Sequence, residues 1–98
     1  MSDLTDQEKW EQILKRSGFH LVSDIKEFAA KTCPPTPDNL FSIGVKALGK
    51  RCRKLRIDYL DKVFVIIENA DDDYTGKGTT LAQALLDALY KAYGGVGE

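Results

Sequence analysis

Val63-Phe64-Val65-Ile66-Ile67, preceded by Leu55-Arg56-Ile57-Asp58-Tyr59, is the stretch on which the fold class turns. The run from Val63 is apolar at every position and rich in β-branched residues, as in a strand covered on both faces. In the run before it, Leu55, Ile57 and Tyr59 alternate with Arg56 and Asp58, the period of a half-buried strand. With Asp61-Lys62 between them the two predict a β-hairpin near 55–68, although Asp-Lys is a weak turn signal. A helix with Leu60, Val63, Phe64 and Ile67 on one face fits the same residues, and with it an all-α bundle. The density of β-branched side chains favours strands.

Upstream, residues 38–60 carry two patterns at once. At helical spacing Phe41, Val45, Leu48, Cys52, Leu55 and Tyr59 form one stripe, and Asp38 after Pro37 is a fair N-cap. At period two, Phe41, Ile43, Val45 and Ala47 alternate with polar or small residues. The longer match predicts a helix over 39–53, against a cost of roughly 1 kcal/mol each for Gly44 and Gly49. Earlier still, Thr5-Asp6-Gln7-Glu8 is a capping box that opens a helix over 6–17, with Trp10, Ile13 and Leu14 on one face and Gly18 as its stop. Asp24 and Glu27 open a second helix over 24–32, with Ile25, Phe28 and Ala29 as its apolar face. Cys33-Pro34-Pro35-Thr36-Pro37 ends it, because proline lacks the amide donor and restricts its predecessor.

Downstream, the stretch from Asn69 to Gly78 reads as a polar loop. Thr80 and Gln83 then cap a helix over 80–93, with Leu81, Ala84, Leu85, Ala88, Leu89 and Ala92 as its buried stripe. The expected architecture is α+β: an N-terminal helical pair (1–33), a proline connector (34–37), a helix, hairpin and C-terminal helix (38–93), and a tail (94–98), all in one domain. The expected core contains Trp10, Ile13, Leu14, Phe28, Phe41, Val45, Leu48, Phe64, Ile66, Leu81, Leu85 and Leu89.

The chain has 98 residues and a formal net charge of −1, so its bulk charge calls for no polyanionic partner. That balance hides an asymmetry: the net charge is −1 over residues 1–37, +4 over 38–62 and −4 over 63–98. Such a bipolar chain can pair its own halves, form a head-to-tail homodimer, or offer two partners opposite faces. No apolar run approaches the ~18–20 residues that span a bilayer, and the polar start MSDLTDQEKW lacks the pattern of a secretory signal. Cys33 and Cys52, without CxxC spacing, read as reduced thiols and point to the cytoplasm.

Few residues suggest chemistry. Asp71, Asp73, Thr75 and Gly76 match the start of a calcium loop, but Ala82 stands where the bidentate carboxylate is required. Gly76-Lys77-Gly78-Thr79-Thr80 at a helix start departs from the phosphate-loop pattern, whose lysine precedes a hydroxyl residue. His20 is the sole histidine, and nothing in the spacing joins it to a cysteine. These residues predict no catalytic group, no metal and no cofactor, and hence no enzyme. The feature that stands out is basic: Lys46, Lys50, Arg51, Arg53, Lys54 and Arg56 fall within eleven residues, with no acid between Asp38 and Asp58. On a helix, residues 46, 50, 53 and 54 would form a cationic stripe, backing an apolar one, able to grip phosphates or to hold a partner. The same charges would also serve as a plain solvated face, or as a face paired with the chain's own acidic C-terminal third, and interleaved aromatics for stacking on single strands are missing.

The segments 63–68 and 78–85, with the pattern Gly78-x-Thr80-Leu81-x-x-Ala84-Leu85, resemble the C-terminal part of HicB-type antitoxins and small sandwich proteins encoded by phages and prophages. The likeness covers about a third of the chain, and the acidic stretch 69–78 stands where those antitoxins carry a long strand. It implies a small α+β accessory domain of bacterial or phage origin that works by docking on a larger host assembly, as anti-CRISPR inhibitors do. No functional residue carries over. The expected function is therefore non-enzymatic binding, first to a protein and alternatively to nucleic acid through the basic segment, with no membrane partner.

Overall fold

The computed structural model describes residues 5–19, 21–49, 52–69 and 72–94. The chain begins with the expected capping box. Thr5 Oγ accepts from the Glu8 amide at 3.2 Å while the Thr5 amide donates to Glu8 Oε1 at 3.0 Å. This opens α1 (Asp6–Leu14), whose Trp10, Ile13 and Leu14 are fully buried. The helical path widens through Lys15–Phe19 and breaks at Gly18, where φ is +116°. Asp24 accepts from the Glu27 amide at 3.1 Å and starts α2 (Ile25–Glu27), which widens in turn through Phe28–Thr32. The Trp10 indole donates to the Cys33 carbonyl at 2.6 Å and ties the first helical segment to the end of the second.

The third helical segment differs from expectation at both ends. Thr36, not Asp38, is its N-cap, accepting from the Asn39 amide at 3.3 Å, and Pro37 sits inside the first turn, where its missing N–H has no partner to lose. The segment runs through α3 (Pro37–Asn39), Leu40–Val45 and α4 (Lys46–Leu48) and stops at Gly49, at φ +56° and ψ −121°. That backbone conformation is open to glycine and hardly to other residues, so the chain leaves the helix there. The helix predicted to reach residue 53 thus ends at 48. The six-residue stripe breaks with it: Leu40 is buried and Phe41 is 36% exposed.

Three strands follow: β1 (Lys54–Tyr59), β2 (Val63–Glu68) and β3 (Asp73–Gly78), antiparallel in the order β1-β2-β3. The β1–β2 hairpin is as predicted. The polar loop expected up to Gly78 is corrected, since residues 73–78 form the third strand. Its composition hides it: the positions a strand would make apolar are Tyr74, Gly76 and Gly78. A side chain at Gly76 would collide with the carbonyl of Ala84 and the amide of Ala88 on the helix above. Glycine here is a packing requirement, not a turn signal.

Helix α5 (Leu81–Ala92), capped by Thr80, lies across β3 and β2 and packs against α1. Ala84 and Ala88 permit its close approach to Gly76, and Leu85, Leu86 and Leu89 fill the core beside Val65 and Ile67. The α5 C-terminus is pinned to the third helical segment by the Tyr93 hydroxyl, which donates to the Gly44 carbonyl at 2.6 Å, while Arg16 donates to the Tyr93 carbonyl. The result is an α+β sandwich of two layers, helices on one side and sheet on the other. Among the expected core residues, Phe28, Val45 and Leu81 are half-buried against it. Phe64 and Ile66 are half-buried on the sheet's other face, and Val63, Val65 and Ile67 take the core positions instead.

Candidate functional site

Side chains alternate across a strand, and the strand register therefore assigns each residue to a face. Leu55, Ile57, Val63, Val65, Ile67, Tyr74, Gly76 and Gly78 share the face that α5 covers. The opposite face consists of three cross-strand rows: Asp58–Phe64–Lys77, Arg56–Ile66–Thr75 and Lys54–Glu68–Asp73. Among the described residues, no helix packs on it. Phe64 and Ile66 form its centre and are half-buried.

The basic segment lands differently from the stripe that the helical reading required. Lys46 is exposed on α4, beside a shallow groove of about 280 Å³ lined by Ser17, Phe19, Ser42, Ile43 and Ala47. Arg53 is exposed beyond the helix end, and Lys54 and Arg56 project from β1 onto the open sheet face. Lys50 and Arg51 lie outside the described residues. No single helix presents these cations, because Gly49 ends the one that would have done so. On the sheet they meet acids. Arg56 Nη2 lies 3.4 Å from Asp58 Oδ2, and Lys54 stands directly across from Glu68. Three cations (Lys54, Arg56, Lys77) and three anions (Asp58, Glu68, Asp73) share the face, which is therefore neutral in sum.

The residues considered for chemistry are occupied or strung out. Asp71 and His20 lie outside the described residues. Asp73, Thr75 and Gly76 lie along an extended strand, where they cannot wrap a cation, and the described residues contain no group of three or more His, Cys, Asp or Glu able to hold a metal. Two of the amides a phosphate loop would use are taken. Lys77 N–H donates to Asp87 Oδ2 at 3.3 Å and Thr79 N–H to Gln83 Oε1 at 3.0 Å. Burial pushes both thiols, Cys33 and Cys52, above the ordinary cysteine range, away from the reactive thiolate form.

Sequence reasoning placed Phe64 and Ile66 in the core and Thr75 and Lys77 in a loop, and so missed the face they share. The signal was the period-two spacing of Asp73, Thr75 and Lys77, masked by two glycines. It also missed the exposed hairpin tip, where Tyr59 and Leu60 are 66% and 74% exposed. No helix among the described residues is long and apolar enough to cross a membrane. Compared with protein-family models, curated proteins and solved structures, the chain matches none.

Proposed function

We propose that this chain is a non-enzymatic binding domain that docks on a larger protein through the open face of its sheet. The observation that carries the reading is the make-up of that face: an apolar centre, Phe64 and Ile66, ringed by equal numbers of cations and anions. A neutral, mixed-charge border around an apolar pair fits a folded protein surface with its own apolar patch and charges of reversed sign. It does not suit a phosphate backbone, whose binding depends on net positive charge. The setting that goes with this reading is a bacterial or phage accessory protein working in the cytoplasm to block an assembly. The free thiols of Cys33 and Cys52 and the resemblance of residues 63–68 and 78–85 support it.

The test is capture from lysate of the source cells by three proteins: the wild type, a Phe64→Lys/Ile66→Lys variant, and a Leu21→Lys control on an exposed residue of the helical layer. The wild type and the control should retain one protein at fixed stoichiometry and saturably, and the double variant should lose at least tenfold in affinity while keeping its circular dichroism. Equal retention by all three, or by none, overturns the reading. The second reading, nucleic-acid binding, draws on the exposure of Lys46, Arg53 and Lys54. It requires a steep salt dependence that disappears when Lys46, Lys50, Arg51, Arg53 and Lys54 become Glu.

A further inference from the structure

The two edges of the sheet are finished differently. Hydrogen bonding alternates along an antiparallel strand, so every second residue of an edge strand aims its N–H and C=O outward. In β3, the Asn69 amide bonding to the Asp72 carbonyl at 2.9 Å sets the phase, and Asp73, Thr75 and Lys77 face outward. Side chains of α5 meet them there. Lys91 Nζ donates to the Thr75 carbonyl at 2.8 Å, and Asp87 accepts from the Lys77 amide. Lys91 and Asp87 are themselves paired at 3.4 Å, so the edge is closed by a small ionic clasp.

In β1 the phase is set at the hairpin end, where the Leu60 amide donates in register to the Lys62 carbonyl at 2.9 Å. Strand β2 agrees, because its Val63, Val65 and Ile67 bond to β3 and leave Phe64, Ile66 and Glu68 to bond to β1. Lys54, Arg56 and Asp58 therefore bond inward to β2, and Leu55, Ile57 and Tyr59 turn their backbone groups outward. Among the described residues, none hydrogen-bonds to these outward groups. The side chains add a second lack. Helix α5 crosses β3 and β2 rather than β1, and Leu55 and Ile57 stay half-buried although they lie on the helix side.

We infer that the outer edge of β1 pairs antiparallel with β1 of a second copy of this chain, about a two-fold axis through Ile57. The strand is complementary to itself in that register. Ile57 faces its counterpart, Leu55 faces the second copy's Tyr59, and Arg56 faces the second copy's Asp58 twice over. The outward groups of residues 55, 57 and 59 meet one another, giving about six backbone hydrogen bonds. The Arg56–Asp58 contacts fall at non-hydrogen-bonded positions, where opposed side chains come closest. Neighbouring registers fail on charge. Centred on Arg56, the two arginines meet; centred on Asp58, the two aspartates meet; centred on Leu55, Lys54 meets Arg56. The pairing makes one six-stranded sheet, closes the helix side of β1 over Leu55, Ile57 and the exposed Tyr59, and leaves Phe64 and Ile66 open on the far face.

Sedimentation velocity from about 1 µM to 1 mM tests it, because an edge this short buries less than the roughly 1,200–2,000 Å² of a standard interface. The wild type should dimerise. Arg56→Asp and Asp58→Arg should each weaken dimerisation at least tenfold, since each sets like charges across the axis. An equimolar mixture of the two single variants should dimerise again, as should the Arg56→Asp/Asp58→Arg double variant, because both restore opposite pairs. A wild type monomeric across the range overturns the proposal, as do single variants that dimerise unchanged or a mixture that fails to recover. The Phe64→Lys/Ile66→Lys protein should dimerise normally, which separates this inference from the docking of a partner on the open face.

Discussion

Ile66 and Ile67 are chemically identical neighbours in one strand, and they stand on opposite faces with opposite fates. On the helix side Val63, Val65 and Ile67 are buried beneath α5, held close by Gly76 and the small Ala84 and Ala88. On the other side Phe64 and Ile66 keep partial contact with water among six charged neighbours. An apolar strand run thus marks a strand with two differently finished faces, one sealed by a helix and one left open. Apolarity by itself does not say which face is which; the small residues of the strand next door do.

The contrast can be broken most severely from the closed side. Gly76→Val sets a branched side chain against helix backbone that has no rotamer to yield, and it should cost about 4 kcal/mol or more, much of the stability of a small domain. Urea titration at 25 °C should find its midpoint moved far toward zero denaturant. A matched pair sharpens the comparison. Ile67→Ala should lose about 3 kcal/mol through the cavity it leaves, and Ile66→Ala about 1 kcal/mol or less. Equal losses in the same titration would mean that the open face is covered after all. The smallest effect lies away from both faces, at the α1 cap. The Thr5 backbone amide and then its hydroxyl hold the Glu8 carboxyl below the ordinary glutamate range. Its folded pKa is depressed, so its contribution is present above that range and fades as pH falls through it. Acid unfolding of Glu8→Gln should lack this component, with the Ile66 and Ile67 variants shifted equally in either background.

The sequence revealed most where a local physical device sets structure. Thr5–Glu8 and Thr80–Gln83 are side-chain caps, and α1 and α5 begin where those caps require. The β1–β2 hairpin was legible from its β-branched density. Three features were not. Strand β3 looks like a loop because the residues beneath the helix must be glycine, and a packing partner 8 to 12 residues ahead is invisible to local periodicity. The spacing of Leu48, Cys52 and Leu55 predicts a helix over 39–53 that is too long, because Gly49 interrupts it. The cationic stripe fell with that helix. The cluster itself is plain in the sequence, but the pairing of Lys54 with Glu68 and of Arg56 with Asp58 depends on the strands, whose register a linear reading does not supply.

Trp10 is the chain's sole tryptophan, fully enclosed, with its indole N–H bonded to the Cys33 carbonyl across two helical segments. The protein therefore carries its own optical reporter, placed in the helical layer and not in a strand. Its emission should be blue-shifted and resistant to quenching by iodide while those segments stay docked, and should redden when they part. A change confined to the sheet surface, such as the arrival of a partner on Phe64, should leave that colour untouched.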